Sequence, residues 1–269
     1  VNTRIRPPAV AGRFYPGVAS QLATVVDGLL AEARPHAWAK AMIVPHAGLV
    51  YSGPVAASAY ASLRGYAGAR IRKVVLLGPA HRVALEGLAI PSGDAFRTPL
   101  GEIPIDAELI SLAAELPDVV VSDEAHREEH SLEVQLPFLQ RVLDDFTLLP
   151  VVVGHTTPAA VANLLERVWG GDDTQILISS DLSHYHGYAE AAALDRQTAG
   201  WIANAEQPGL DHRRACGAAC IDGLIELARR HPGRFRRECI DLRNSGDTAG
   251  PRDRVVGYGA FAFHEVAPC

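Results

Sequence analysis

Apolar residues in this chain come in short runs that stop at turn-forming residues. Residues 41–44, 74–77, 148–153 and 176–178 are β-branched or leucine-rich, and they end at Pro45, Gly78, Gly154 and Ser179. Runs of this length, bounded in this way, predict buried strands. Between them, apolar positions recur with helical spacing at 21–33, at 55–63 after Gly53-Pro54, at 132–144 and at 158–168. Strand and helix in alternation predict one three-layer α/β domain over residues 1–269, with a mostly parallel central sheet. Residues 254–263 repeat the strand signal and are expected to complete the sheet or form its antiparallel edge. Residues 88–113 read as short strands or a hairpin, an insertion placed to cover a site.

Composition narrows the class. With 48% hydrophobic residues in 269, the chain can bury a full core, and one domain suffices. No apolar stretch reaches the roughly 18–20 residues of a membrane span. The first residues carry arginines but no apolar signal segment, so no export signal is expected. Cys216, Cys220, Cys239 and Cys269 all fall in the last quarter, without the density of a disulfide-stapled secreted domain, and a reducing cytoplasm is the expected compartment. A net charge of −6 argues against nucleic acid as a partner. The densest basic stretch, 229–237, follows an apolar helical pattern and includes His231-Pro232, so it reads as a helix end and a solvated turn.

Each predicted strand has a histidine at or just beyond its end: His46, His81, His155 and His184. In open α/β sheets the ligand crevice lies outside the carboxyl ends of the strands, so these imidazoles are expected to share one space. A single such histidine more often closes a loop hydrogen bond. His46 and His81 each follow a proline in a small-residue turn, which fixes the backbone and leaves room for a ligand. Those two are the candidate metal ligands. His155 adjoins Thr156-Thr157-Pro158, where a helix needs a cap, and it stays outside the ligand set.

Asp181 and His184 share a face if their segment is a helical turn, which makes them a candidate carboxylate and base; Asp181 can equally serve as a helix N-cap. Cys216 precedes a predicted helix over 218–230, where a thiolate is favoured, and is a candidate soft ligand or nucleophile. Cys220, four residues on, reads as a small buried hydrophobe. Glu129, His130 and Gln135 bring acid, base and amide to a loop-helix junction, and with Tyr51 they are candidate substrate contacts. Ser131 and Glu133 there read as a cap and a solvated face.

These residues, taken together, resemble the MEMO family. The likeness rests on Arg6-Pro7-Pro8-Ala9-Val10-Ala11-Gly12-Arg13-Phe14-Tyr15-Pro16, on Pro45-His46-Ala47-Gly48 with Tyr51-Ser52-Gly53, and on Gly78-Pro79-Ala80-His81. It continues through residues 129–137, Ser179-Ser180-Asp181-Leu182-Ser183-His184 and Cys216-Gly217, and so spans nearly the whole chain. Bacterial and archaeal members are called the B protein of the AmmeMemoRadiSam system. The resemblance therefore implies as partners the other proteins of that set, including a radical SAM protein, beside an unknown small-molecule substrate. The family in turn is similar to class III extradiol dioxygenases, which hold non-haem iron with two histidines and a glutamate in an α/β fold. By this likeness His46, His81 and Cys216 are the metal ligands, and Asp181 and His184 line the pocket.

A thiolate in place of the carboxylate moves the metal preference, so dioxygenase activity does not carry over with the fold. Redox chemistry at iron or copper is the leading expectation, with His184 as base assisted by Asp181. A zinc-dependent hydrolase and a non-catalytic module for a peptide or partner protein are the alternatives. An animal member is linked to phosphotyrosine peptides; that partner is not transferred here.

Overall fold

The computed structural model describes residues 4–204 and 209–266. In chain order its elements are β1 (Ile5–Arg6), α1 (Ala19–Glu32), β2 (Ala41–Val44), α2 (Leu49–Tyr60), α3 (Tyr66–Arg70), β3 (Lys73–Pro79), β4 (Leu88–Ile90), β5 (Ala95–Thr98) and β6 (Gly101–Pro104). There follow α4 (Ala107–Ala114), β7 (Val119–Val121), α5 (Asp123–Arg127), α6 (His130–Glu133), α7 (Leu136–Val142), β8 (Thr147–Val153) and α8 (Pro158–Val168). The chain closes through β9 (Thr174–Ser179), β10 (His184–His186), α9 (Tyr188–Asn204), α10 (Ala218–Arg230), β11 (Phe235–Asn244) and β12 (Val255–Glu265).

The main sheet runs β10-β12-β2-β9-β3-β8-β4-β7, with β11 also paired to β12. Its centre, β2-β9-β3-β8, is parallel as expected, whereas β12 joins β2, and β4 joins β8, in antiparallel fashion. The central strands are apolar without alternation because both faces are covered. Met42, Val44, Val74, Leu76 and Leu177 pack with α1, α2 and α7 on one side. Ala41, Ile43, Val75, Leu77, Ile176 and Ile178 pack with α8 and α10 on the other. Each such fully buried aliphatic side chain stabilises by roughly 1.5–3 kcal/mol.

Several elements differ from the sequence reading for identifiable reasons. The helix expected over 132–144 is two, α6 and α7: Pro137 has no N–H to continue the first helix and instead sits in the first turn of the second. The helix expected from 55 begins at Leu49 and keeps Gly53 and Pro54 inside it. A Cβ at Gly53 would lie 2.7 Å from Leu29 Cδ1, so the glycine lets α1 and α2 approach closely. The basic stretch 229–237 ends α10 and turns, but from Phe235 it enters β11. The last strand is internal rather than an edge, since β12 lies between β2 on one side and β10 and β11 on the other. Within 88–113, β4 joins the main sheet, while β5 and β6 form a hairpin against β1.

Glu133, read from sequence as a solvated face, is buried and fastens the N-terminal segment to the domain. Its carboxylate accepts from Arg6 Nη1 at 2.5 Å, Tyr15 Oη at 2.5 Å, and the backbone N–H groups of Ala9 and Val10 at 2.8 and 2.9 Å. Arg6 also donates to the carbonyls of His126 and Glu129. The strap so fixed lays Phe14 against the ring of His130, centroids 4.7 Å apart. Among the described residues no helix is long and apolar enough to cross a membrane.

Replacing Glu133 by Ala leaves the Arg6 charge buried without its partner, and should cost about 3–5 kcal/mol in urea unfolding. An equal midpoint for Glu133→Ala and the parent would show that the strap does not hold the fold.

Candidate metal centre

Because β2, β9, β3 and β8 run parallel, the loops that follow them open at one end of the sheet. They line a cavity of about 660 Å³. His46 follows β2, His81 follows β3, His155 follows β8, and Asp181 and His184 follow β9. His130 from α6, and Cys216 from the turn before α10, complete the polar wall.

His46 is 1% exposed, and its orientation is set by a hydrogen-bond chain. Ser179 Oγ donates to Ser131 O at 2.5 Å and accepts from Gln135 Nε2 at 2.8 Å. Its remaining acceptor capacity faces His46 Nδ1 at 2.8 Å. The proton of His46 therefore sits on Nδ1, and the Nε2 lone pair faces Cys216 Sγ. Burial, reinforced by neighbouring His81, drives the His46 pKa well below its ordinary value, so the ring is neutral.

His81 is held by Glu129. The two carboxylate oxygens accept from His81 N at 2.6 Å and from His81 Nδ1 at 2.9 Å, and Oε1 also accepts the N–H groups of His130 and Ser131 at 2.9 Å each. Burial alone would raise the Glu129 pKa; the hydrogen bonds and charge of His81, with the Ser131 N–H, outweigh it and hold the carboxyl at about 2. His81 thus also donates from Nδ1, which turns Nε2 away from the carboxylate.

The ligand-capable atoms of His46, His81 and His130 lie within 4.8 Å of one another. His130 Nδ1 is buried with no hydrogen-bond partner, and burial together with His46 and His81 pushes the ring down to about 3. Cys216 Sγ stands 3.4 Å from His46 Nε2. Metal–N and metal–S bonds of roughly 2.0 and 2.3 Å imply about 3.5 Å between two such donors on a tetrahedral ion, so this pair fits a shared metal. Contrary to the expectation of a thiolate favoured at a helix start, burial and then the Asp181 charge push the Cys216 thiol up to about 12.

Asp181 is buried and caps no helix; Oδ1 accepts the His46 N–H at 2.7 Å. Burial raises its pKa against that hydrogen bond. The step from Asp181 to His184 is irregular rather than a helical turn, and among the described residues no hydrogen bond joins the two side chains, although both line the cavity. Glu129, Gln135 and Tyr51, expected to touch substrate, are not among the cavity's lining residues. Gln135 spans Tyr60 Oη, Pro45 O and Ser179 Oγ from a buried position. His155 stands at the exposed rim beside Glu86, and the neighbouring helix is capped by Thr157 instead. The cavity's far wall is Val83, Ala84 and Leu85, not the 88–113 insertion. His212 also lines it; four residues before Cys216 in Asp211-His212-Arg213-Arg214, it carried no strand-end signal.

The profile of the family described as Memo-like protein matches residues 6–262. This chain belongs to the Memo-like family. It is 36% identical to a MEMO1 family protein of Aquifex aeolicus over 97% of this chain and 99% of the relative. MEMO1 family proteins of Pyrobaculum arsenaticum and Ignicoccus hospitalis are 33% and 35% identical, over 97% and 96% of this chain and 99% and 98% of their own. In fold, the chain is similar to an uncharacterized protein, JW3007, of Escherichia coli K12, with a TM-score of 0.50 at 12% identity, covering 82% of this chain and 99% of that one. This chain is thus a single α/β domain with a mixed central sheet, and the cluster of His46, His81 and His130 is its candidate metal centre.

The depressed imidazoles give stability a defined pH dependence. His46, His126 and His130 stay neutral when folded but take up protons near pH 6.5 when unfolded, so stability is full above that pH and falls as pH drops toward 4. His126, held at about 4 by burial, lies outside the cavity lining and donates from Nε2 to Ala89 O. Urea unfolding between pH 7 and 4.5 should show His126→Gln losing up to about 1.4 kcal/mol per pH unit less than the parent. Parallel slopes would show that His126 is not buried in its neutral form.

Proposed function

We propose that this chain is a metal-dependent redox protein in which His46, His81 and Cys216 hold iron or copper, with His130 as an adjoining donor, acting on a small organic substrate in the cavity. The observation that supports this most is the paired restraint of His46 and His81. Each donates from Nδ1 to a fixed protein acceptor, Ser179 or Glu129, and so leaves Nε2 as the nitrogen that can meet a metal. Neither restraint is needed by a histidine that only closes a loop. The thiol beside them makes the donor set softer than one of imidazoles and carboxylates alone, which suits iron or copper with redox chemistry.

When bound, the metal supplies electron transfer or activation of a coordinated oxidant or substrate. The protein's own groups do the rest. Glu129 fixes the His81 ring, and Gln135 with Ser179 fixes the His46 ring. His184, at the cavity wall, is placed to take or return a proton. Asp181 holds the backbone of the His46 turn.

Protein purified without metal-affinity resin should carry about one iron or copper per chain, lost in His81→Ala and in Cys216→Ser. Glu129→Gln, which weakens the orientation of His81 while keeping its shape, should lower metal affinity by roughly 10–100-fold. Uptake near neutral pH should release about one proton from Cys216, read by calorimetry of the parent in buffers of different ionisation enthalpy. Stoichiometric zinc would redirect the reading to hydrolysis. A parent that takes up no metal even after anaerobic loading would sink it.

A further inference from the structure

Tyr185 is the only non-glycine among the described residues with a positive φ, 65°. For a bulky aromatic residue that conformation is strained, and it persists only where the surroundings impose it. They do so here. Leu182 N donates to Gly257 O and Gly257 N to Ser183 O, at 2.8 Å each, while Ser183 N donates to Asp195 Oδ1 at 3.0 Å. A Cβ on Gly257 would fall 1.9 Å from Asp195 Oδ2, so only glycine lets this anchor close. Between β10 and β12 the register slips, with His184 opposite Val256 and His186 opposite Val255, and Tyr185 is the extra residue.

The slip changes where side chains point. In a regular strand His184 and His186 would share a face and Tyr185 would oppose them. Instead His184 and Tyr185 both line the cavity, while His186 pairs with Glu190. The Tyr185 ring is edge-on to His184 with centroids 5.7 Å apart, and Arg254 lies over it at 4.4 Å. Yet the residue remains 64% exposed. Burial therefore does not explain a strained aromatic at this point. The lining residues include the carboxylates Glu86 and Asp181 but no Lys or Arg, and Val83, Ala84, Leu85, Val153 and Ala219 supply apolar surface.

We infer that Tyr185 is a substrate-contacting residue, whose strained backbone turns an aromatic ring into the cavity beside His184 to grip a planar aromatic portion of the substrate. This rests on the cavity being the functional site proposed above, and it adds the substrate class. Aromatic rings pair edge-on or offset-stacked, which favours a planar ring against Tyr185.

The test uses the full chain as purified and 1-naphthol, an uncharged fluorescent bicyclic phenol, with metal content measured on the same samples. Tyr185→Phe and Tyr185→Trp keep the ring and should bind naphthol as the parent does. Tyr185→Asn, which tolerates the left-handed backbone, should bind about tenfold more weakly while melting at the parental temperature or above. Equal affinity in Tyr185→Asn and the parent, or no naphthol binding by the parent, overturns the inference. So does a melting temperature for Tyr185→Asn several degrees lower, which would make the ring a structural support. Because naphthol fluorescence needs no metal, a parent lacking metal defeats the redox proposal alone, and the naphthol affinities still decide the role of Tyr185.

Discussion

The buried carboxylate of Glu129 ties together two pieces of chain that sequence separates, the turn after β3 and the start of α6, and with them the imidazoles of His81 and His130. A carboxylate removed from water is unfavourable unless its oxygens are saturated by donors. Here four N–H groups meet it, and two of them belong to His81. The consequence is a fixed charge at the back of the site, held ionised at about pKa 2, against which the His81 ring cannot rotate without leaving that charge unpaired.

A second, neutral network does for His46 what Glu129 does for His81. Gln135 and Ser179 have their donors and acceptors committed to Pro45, Ser131 and Tyr60, which leaves one place for the His46 proton. Two rings, restrained by different chemistry, thereby present the same kind of nitrogen to one space. Cys216 enters from α10's side, and Asp181 joins the two halves by accepting the His46 N–H while its own N–H approaches the Cys216 sulfur at 3.3 Å. The thiol is a poor anion in this setting, which disfavours a free nucleophile.

The N-terminal strap belongs to the same construction. Glu133 lies one helical turn from Glu129 and saturates itself with Arg6, Tyr15 and two backbone donors. α6 is thus a short helix with a buried carboxylate at each end, one facing the site and one fastening the segment that packs Phe14 on His130. Loss of either carboxylate's partners would disturb both the scaffold and the ring that it supports.

The alternation of apolar runs and helical patterns determined the three-layer α/β domain, and the residues just past those runs determined that His46, His81, His155 and His184 would gather at one end. Both are local properties: a strand buried on two faces is apolar throughout, and parallel strands deliver their carboxyl ends together. The chain's membership of the Memo-like family was equally legible in its short motifs. What the tertiary structure alone decided is which side chains bear on the cavity and which stand behind it. Glu129 and Gln135 read as substrate contacts because their polarity is visible in sequence, whereas their partners, His81 and Ser179, are 48 and 44 residues away. Glu133 passed for a solvated residue for the same reason. The strain at Tyr185 and its turn toward the cavity arise from a register slip against β12, and pairing between distant strands leaves no periodic mark on the residues that make it.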